Sequence, residues 1–185
     1  MSDAGRLPLV AADTDDPALA AVFDRFREAG HDVPTLYRTL GNAPAMLNAW
    51  VAMAWPLRHE STTSRGLREL IIMRVAQLTR ASYEWVAHHP AALKFGVTVE
   101  QLATLRDWQA SDLFGDVERE VLALTDAIIR DYDVPDDVWS PLAARYEPGE
   151  LVELVLTVTY YSCVSGTLRS LRLPVDEADP VLADF

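Results

Sequence analysis

Helical periodicity runs through most of this chain, and no segment alternates apolar and polar residues for long enough to predict a strand. In residues 43–57, for example, Met46, Trp50 and Trp55 belong to a set of apolar side chains that recur every three to four residues. That spacing places them on one face of a helix. The pattern predicts an all-α fold, a single-domain helical bundle over residues 1–185.

Capping residues, prolines and glycines predict where the helices begin and end. Asp16, followed by proline, marks the start of the first helix, and Thr98 with Gln101 fits a capping box. Pro56 and Pro90 lie inside helical patterns and are expected to kink or end them. The predicted helices cover residues 17–30, 34–40, 43–57, 64–79, 83–95, 98–108, 116–131, 135–146 and 148–171.

Composition narrows the class of protein further. Of the 185 residues 50% are hydrophobic, as in a folded globular chain. The formal net charge is −12, so nucleic acid is not an expected partner. A single cysteine, Cys163, excludes a disulfide framework and a cysteine-based zinc site. The acidic segments 13–16 and 176–184 are interpreted as solvated surface, and 175–185 as an acidic tail.

Neither a targeting segment nor a membrane span is expected. The amino terminus has no basic stretch followed by an apolar one, so a cytoplasmic location is the default expectation. The longest apolar run, residues 151–164, carries Glu153 and is shorter than the roughly 20 residues that cross a bilayer. It is interpreted as a buried helix, with no membrane partner.

The densest group of titratable and aromatic side chains lies in residues 82–89. Glu84 and His88 are four residues apart on one helix face, so the carboxylate can bond the imidazole, fix its tautomer and raise its pKa. This is one way to build a general acid/base pair. The alternative is a structural pair at a helix surface or subunit interface.

Glu69 lies on the preceding predicted helix, which a short turn joins to the helix of His88. Consecutive helices joined in this way pack side by side, so Glu69 is a candidate third acid/base group. The alternative is a first-turn carboxylate that complements the helix dipole. No metal site is expected, because HExxH spacing is absent and the adjacent His88 and His89 point about 100° apart.

Several cationic and aromatic residues are candidates for holding a substrate. Residues 58–80 form a locally positive segment that could bind a carboxylate, with solvated or interface arginines as the alternative for most of them. Its arginines are Arg58, Arg65, Arg68, Arg74 and Arg80. Tyr83, Trp50, Trp55 and Trp85 are candidate pocket residues, with core packing as the alternative for the tryptophans, and His31 and His59 are expected to be exposed at helix ends.

The segment 65–105 carries the pattern R-E-L, then Y-E-W and H, then a G-V-T turn. This pattern resembles the carboxymuconolactone decarboxylase family, which includes the alkylhydroperoxidase D-like proteins. Weaker likeness in residues 40–57 and 150–171 extends the motif-bearing core to about 40–171. The resemblance implies an all-helical fold of the alkylhydroperoxidase D-like type.

The peroxidase branch of that family has a glutamate, two cysteines and a histidine at fixed spacing. Laid on this chain, the glutamate is Glu69 and the histidine is His88, but the cysteine positions hold Ala81 and Glu84. A dithiol reduction of hydroperoxides therefore lacks both thiols. Cys163, on a strongly apolar helix, is expected to be an inert core residue. The resemblance is to the decarboxylase branch.

The resemblance implies a cofactor-free acid/base enzyme that acts on a small carbonyl- or lactone-containing carboxylate, by decarboxylation or proton transfer. His88 is then the proton donor or base, Glu84 orients it or exchanges the proton, and Glu69 completes the relay. Self-association into trimers or hexamers is implied, with a dimer as the alternative. The competing hypothesis is a non-catalytic, oligomeric binding or stress-associated member. The candidate substrate contacts are Tyr83, Trp85, His89 and Arg80.

Overall fold

The computed structural model describes residues 5–176 and 178–185, and in these residues the chain is helical with no strand. The predicted all-α class is confirmed. The residues group into two compact units. Among the described residues, the first comprises 5–60 and Leu171–Pro174, and the second comprises Ser61–Ser170 together with those of 175–185. The single domain over 1–185 stays a prediction.

The first unit contains three helices, which are α1 (Pro17–Glu28), α2 (Thr35–Leu40) and α3 (Pro44–His59). The Asp16 carboxylate accepts a 2.9 Å bond from the backbone N–H of Ala18 and caps α1 as predicted. The expected break at Pro56 is wrong, because α3 continues to His59. Pro56 lies in the last turn on an exposed side, so the one carbonyl that loses its helical partner can bond water.

The second unit holds the remaining helices. They are α4 (Arg65–Thr79), α5 (Ser82–Lys94), α6 (Val99–Thr104), α7 (Asp116–Asp131), α8 (Asp136–Arg145) and α9 (Pro148–Leu171), the last up to Ser170. Two short 3-10 helices, Leu105–Ala110 and Pro180–Asp184, complete it. The capping box of α6 is confirmed, with Thr98 and Gln101 exchanging bonds of 3.0 and 3.1 Å.

Two predicted boundaries in this unit are wrong. The α-helix expected up to residue 108 ends at Thr104, because the following 3-10 turn buries Trp108 and lets its indole N–H donate to Asp126 at 3.3 Å. The expected break at Pro90 is also absent, since α5 runs unbroken to Lys94. Pro90 is exposed, so its ring meets no packed neighbour on that side.

The core of the second unit is built around Trp85, which is fully buried among side chains of α4, α6 and α7. The segment 175–185 is expected to be a solvated tail, but its residues Val181, Leu182 and Phe185 pack against this core. The Trp85 indole N–H donates to the carbonyl of Val181 at 2.7 Å, and the ring of Phe185 lies 5.4 Å away. Asp176 stays exposed, whereas Asp179 and Asp184 are half-buried. The apolar residues therefore anchor the segment.

Helix α9 is the longest in the chain, with 24 residues. By length and composition alone it is long and apolar enough to cross a membrane, and 44% of its most apolar window is buried within the protein. The absence of a membrane partner stays a prediction. Its Glu153 carboxylate accepts 2.9 Å bonds from the backbone N–H groups of Thr62 and Thr63. These contacts fix the start of α9 against the segment that leads into α4.

Candidate acid–base site

The turn between α4 and α5 brings the predicted site residues onto neighbouring helices. Arg80 ends α4 in the left-handed conformation (φ 57°), and the Ala81 N–H bonds the Ala76 carbonyl at 2.8 Å. The reversal lets the two helices run back along each other. At Gly66 the backbone of α4 comes close to the end of α5, since a Cβ atom there would lie only 2.5 Å from the carbonyl oxygen of Phe95.

This packing places the imidazole of His88 between two carboxylates. Its Nδ1 lies 2.7 Å from Oε2 of Glu69 on α4, and its Nε2 lies 3.1 Å from Oε1 of Glu84 on α5. Glu69 has no exposed surface, and Glu84 and His88 are 3% and 9% exposed. The structure therefore brings the three predicted acid/base residues together in a buried site.

The geometry constrains where the protons lie. A neutral imidazole has one donor and one acceptor nitrogen, whereas here both nitrogens face carboxylate oxygens. Burial lowers the pKa of His88, but the electrostatic interactions with Tyr161 and Glu84, and the hydrogen bonds that Glu69 and Glu84 accept from the imidazole, raise it well above its ordinary value. The two distances and the direction of the pKa shift together favour an imidazolium that donates to both carboxylates, which places one proton between Nε2 and Glu84.

Glu69 is held ionised by cations on two helices. Burial raises the pKa of Glu69. The hydrogen bond and charge of His88 and the charge of Arg65 together lower it by more than burial raises it, so the net shift is downward. Arg65, one turn earlier on α4, forms an ion pair with Oε1 of Glu69. Glu69 is therefore a permanent counter-charge at neutral pH, and its second oxygen is already engaged by protein.

Two residues near Glu69 or His88 were not singled out by the sequence as acid/base neighbours. Tyr161 on α9 packs edge-on against the imidazole, with ring centroids 5.1 Å apart. Arg68 is 4% exposed and donates to the carbonyl and, at 3.1 Å, to the hydroxyl of Thr63; burial and Arg65 lower its pKa. Tyr161 lies in the segment 150–171 that already carried weak family likeness, which was the available signal.

The other candidate substrate contacts are dispersed. Trp85 belongs to the core described above, and Tyr83 is half-buried. His89 is 9% exposed and, as the neighbour of His88, points about 100° away around α5. Arg80 is exposed at the far end of α4, eleven residues and roughly 16 Å of helix beyond Glu69. These residues do not converge on the imidazole as a group.

The remaining cations and tryptophans serve other contacts. Arg74 forms a buried bidentate pair with Asp126, at 2.6 and 2.9 Å. In the first unit Arg58 donates to the hydroxyl of Tyr37 at 3.1 Å, and Trp55 is 43% exposed. The positive segment 58–80 is therefore largely committed to structure, and Arg65, with 23% of its side chain exposed, is its cation that pairs with Glu69.

The lone thiol does not belong to this site. Cys163 is exposed, contrary to the expectation of an inert core position. It follows Tyr161 by two residues and so points about 200° away around α9. Because Tyr161 faces His88, the Cys163 thiol faces away from it. Thiol chemistry at this imidazole would require a cysteine that the chain lacks.

Comparisons with known proteins agree with this fold. Residues 44–127 match the carboxymuconolactone decarboxylase family. The uncharacterized protein YdfG of Bacillus subtilis is 30% identical over 101 residues, which are 54% of this chain and 69% of that protein. The fold and sequence together define an all-α protein of the alkylhydroperoxidase D-like type. The chain belongs to the carboxymuconolactone decarboxylase family.

Solved structures share the same architecture at low sequence identity. A peroxidase-related protein from Ralstonia eutropha JMP134 superposes with a TM-score of 0.76 at 17% identity, covering 94% of this chain and 93% of that one. The debrominase Bmp8, solved with 2,3,4-tribromopyrrole, has a TM-score of 0.75 at 16% identity, covering 97% and 94%. At this identity the likeness concerns the fold.

Proposed function

We propose that this protein is a cofactor-free acid/base enzyme that moves a proton to or from a carbon beside a carbonyl group. The observation that carries the proposal is the buried His88 imidazole held by carboxylates at both ring nitrogens, 2.7 and 3.1 Å away. At position 84 the peroxidase branch has its second cysteine, whereas this chain has Glu84. The group at Nε2 of His88 is therefore a proton acceptor and not a redox-active thiol.

The proton held between Nε2 of His88 and Glu84 is the one that reacts. In a decarboxylation, the bond from the substrate carbon to its carboxylate breaks and carbon dioxide leaves. The electron pair stays on the substrate as an enolate, and the carbon then takes the proton that Glu84 relays from His88. Glu69 keeps the imidazole oriented throughout. The transfer leaves His88 neutral, and a proton from solvent restores the imidazolium afterwards.

The substrate class follows from the charges around the imidazole. A small carboxylate with a carbonyl or lactone group would present its anion to Arg65, whose side chain is partly exposed beside Glu69 and within 5.5 Å of the Phe95 ring. The imidazolium of His88 would stabilise the enolate charge as it develops. This assignment gives Arg65 a binding role and leaves the proton transfer to Glu84 and His88.

Turnover of a panel of carboxylated lactones and 3-keto acids tests this proposal, with carbon dioxide release and deuterium incorporation as readouts. We expect His88→Gln and Glu84→Gln each to lower kcat by about 10²–10⁴-fold. Glu120→Gln, which removes an exposed pair with Arg145, is the matched control and should leave kcat unchanged. Full activity in both site variants would refute the assignment.

The competing function is a non-catalytic family member that binds a ligand or partner. It predicts no turnover by the wild-type protein across the panel.

A thiol mechanism that uses Cys163 predicts that Cys163→Ser loses activity. The acid/base mechanism predicts an unchanged kcat for this variant, because the thiol faces away from His88. The two substitutions, at His88 and at Cys163, therefore distinguish acid/base from thiol chemistry.

We also propose that the protein self-associates through one face of α9. Val152 and Leu156 are 56% and 37% exposed, and Thr159 and Cys163 continue the same exposed stripe at spacings of three and four residues. Light scattering after size exclusion should give a trimer or hexamer that Leu156→Glu dissociates. Ala143→Glu, on the exposed surface of α8, should leave the mass unchanged. A monomeric wild-type protein would contradict this proposal.

A further inference from the structure

The first unit contains a cavity of about 250 Å³ between α1 and α3, called here the α1–α3 cavity. Its inner wall is apolar and includes Val22 and Ala54, both nearly fully buried. At about 30 Å³ for each water-sized group, the volume accommodates roughly eight non-hydrogen atoms. The cavity therefore suits a small molecule the size of one substituted ring.

Aromatic rings line this cavity from all three helices of the first unit. The rings of Trp55 and His59 lie 4.2 Å apart, and those of Phe26 and Tyr37 lie 4.9 Å apart. All four residues line the cavity. Flat aromatic faces favour another flat ring, which can stack on them or meet them edge to face.

The charged groups of the lining have one sign. Arg25 and Arg58 line the cavity together with His31 and His59, and no carboxylate is among its lining residues in the described part of the chain. The Arg25 guanidinium lies 4.8 Å above the Trp55 ring, and Arg58 donates to the Tyr37 hydroxyl at 3.1 Å. Both guanidinium groups are thus held at the aromatic wall. Glu60 contributes to an adjoining depression of the same unit, shared with Arg25 and Trp55.

We propose that the α1–α3 cavity is a binding site for a small aromatic monocarboxylate. The ring would occupy the apolar and aromatic interior, and the carboxylate would accept charge-assisted hydrogen bonds from Arg25 and Arg58. This site lies entirely in the first unit. It is assigned independently of the proton-transfer chemistry proposed for His88 in the second unit.

Benzoate and its neutral counterpart benzyl alcohol are the probes, with binding measured by isothermal titration calorimetry on the full-length protein. We expect saturable benzoate binding, at least tenfold tighter than that of benzyl alcohol. Arg58→Gln should raise the dissociation constant of benzoate at least tenfold and leave that of benzyl alcohol within twofold. Arg27→Gln is the control, because Arg27 lies on α1 but pairs with Asp24 outside the cavity.

Indole resonances locate the site even if a cavity variant fails to fold. In the wild-type protein, benzoate should shift the N–H resonance of Trp55 and leave that of the core residue Trp85 in place. His88→Gln should bind benzoate as the wild type does, so loss of proton-transfer activity and loss of this site are separable. Equal affinity for the two probes, absence of saturable binding, or shifts confined to Trp85 would overturn the proposal.

Discussion

At the residue scale, His88 shows how a few neighbours set a protonation state. The imidazole is buried, which by itself favours the neutral form. Carboxylates at both ring nitrogens reverse that preference and raise the pKa of His88. The buried location excludes water, and the paired carboxylates keep the proton available.

Stability should depend on pH through this group. Because the pKa of His88 in the folded protein lies above its ordinary value of 6.5, its contribution is complete below about pH 6.5 and is lost as the pH rises through the raised value. The lowered pKa of Glu69 has the opposite effect, with a contribution lost as the pH falls below its ordinary 4.5. Both contributions are therefore complete between about pH 4.5 and about pH 6.5, where the pair stabilises the protein most.

Glu69→Gln should therefore lower the free energy of unfolding by about 2 kcal/mol near pH 6, the scale of a hydrogen bond to a charged group. The loss should shrink as the pH rises, because the wild-type protein then loses the same interaction. Urea denaturation at pH 6 and pH 9 measures both values. A loss that is equal at the two pH values would show that Glu69 acts by packing alone.

The sequence predicted part of this site and missed part of it for a clear reason. Glu84 and His88 share a helix, so their spacing alone predicts contact, and Glu69 follows from the short turn before α5. Tyr161 reaches the imidazole only through the packing of α9, 73 residues later in the chain. No local pattern encodes that contact, and the same holds for the core position of Trp85.

At the element scale, the close approach of α4 and α5 positions the acid/base residues. A methyl group at residue 66 would meet the Phe95 carbonyl oxygen at 2.5 Å, a backbone atom that cannot move aside cheaply. Helix periodicity predicted both helices. The need for glycine at this point depends on their distance, which the sequence does not state.

Gly66→Ala should push α4 away from α5, lower the free energy of unfolding by about 1–3 kcal/mol and weaken the Glu69–His88 contact. Gly149→Ala is a matched control, because nothing lies within 4 Å of its added methyl group in the first turn of α9. That control should be neutral or stabilising by up to about 1 kcal/mol. Equal effects from the two substitutions would contradict the close approach.

At two interior prolines the sequence predicted helix breaks that the structure does not contain. Pro56 and Pro90 predicted interruptions, yet α3 and α5 continue past them. Both prolines are exposed, so the missing hydrogen bond is lost where water can replace it. Local sequence gives the cost of a proline, whereas burial decides whether the helix tolerates it.

At the scale of the whole molecule, charge and apolar anchoring act at different positions of the same segment. The acidic sequence of residues 175–185 predicts a solvated tail. In the structure, however, Phe185 and Val181 pack against the core around Trp85. Arg106 donates to the Phe185 main-chain oxygen at 2.6 Å and holds the end of the chain. The net charge of −12 therefore does not predict whether this segment packs against the core.

Phe185→Ala should lower the free energy of unfolding by about 2 kcal/mol, less than for a fully buried phenylalanine, because the ring is only partly buried. Asp184→Asn, at the neighbouring position, should change it by less than about 0.5 kcal/mol. Thermal or urea unfolding of the two variants measures the difference. Equal stability of Phe185→Ala and the wild type would mean that the segment does not anchor the core.

The proposed function depends above all on the charge of His88. The direct measurement is ¹⁵N NMR of the histidine side chains at pH 7.5, with His88→Gln used to assign its resonances. The structure predicts that both ring nitrogens of His88 carry protons, and that Glu84→Gln lowers the pH at which one is lost. A neutral imidazole with a single N–H at pH 7.5 in the wild-type protein would contradict the account.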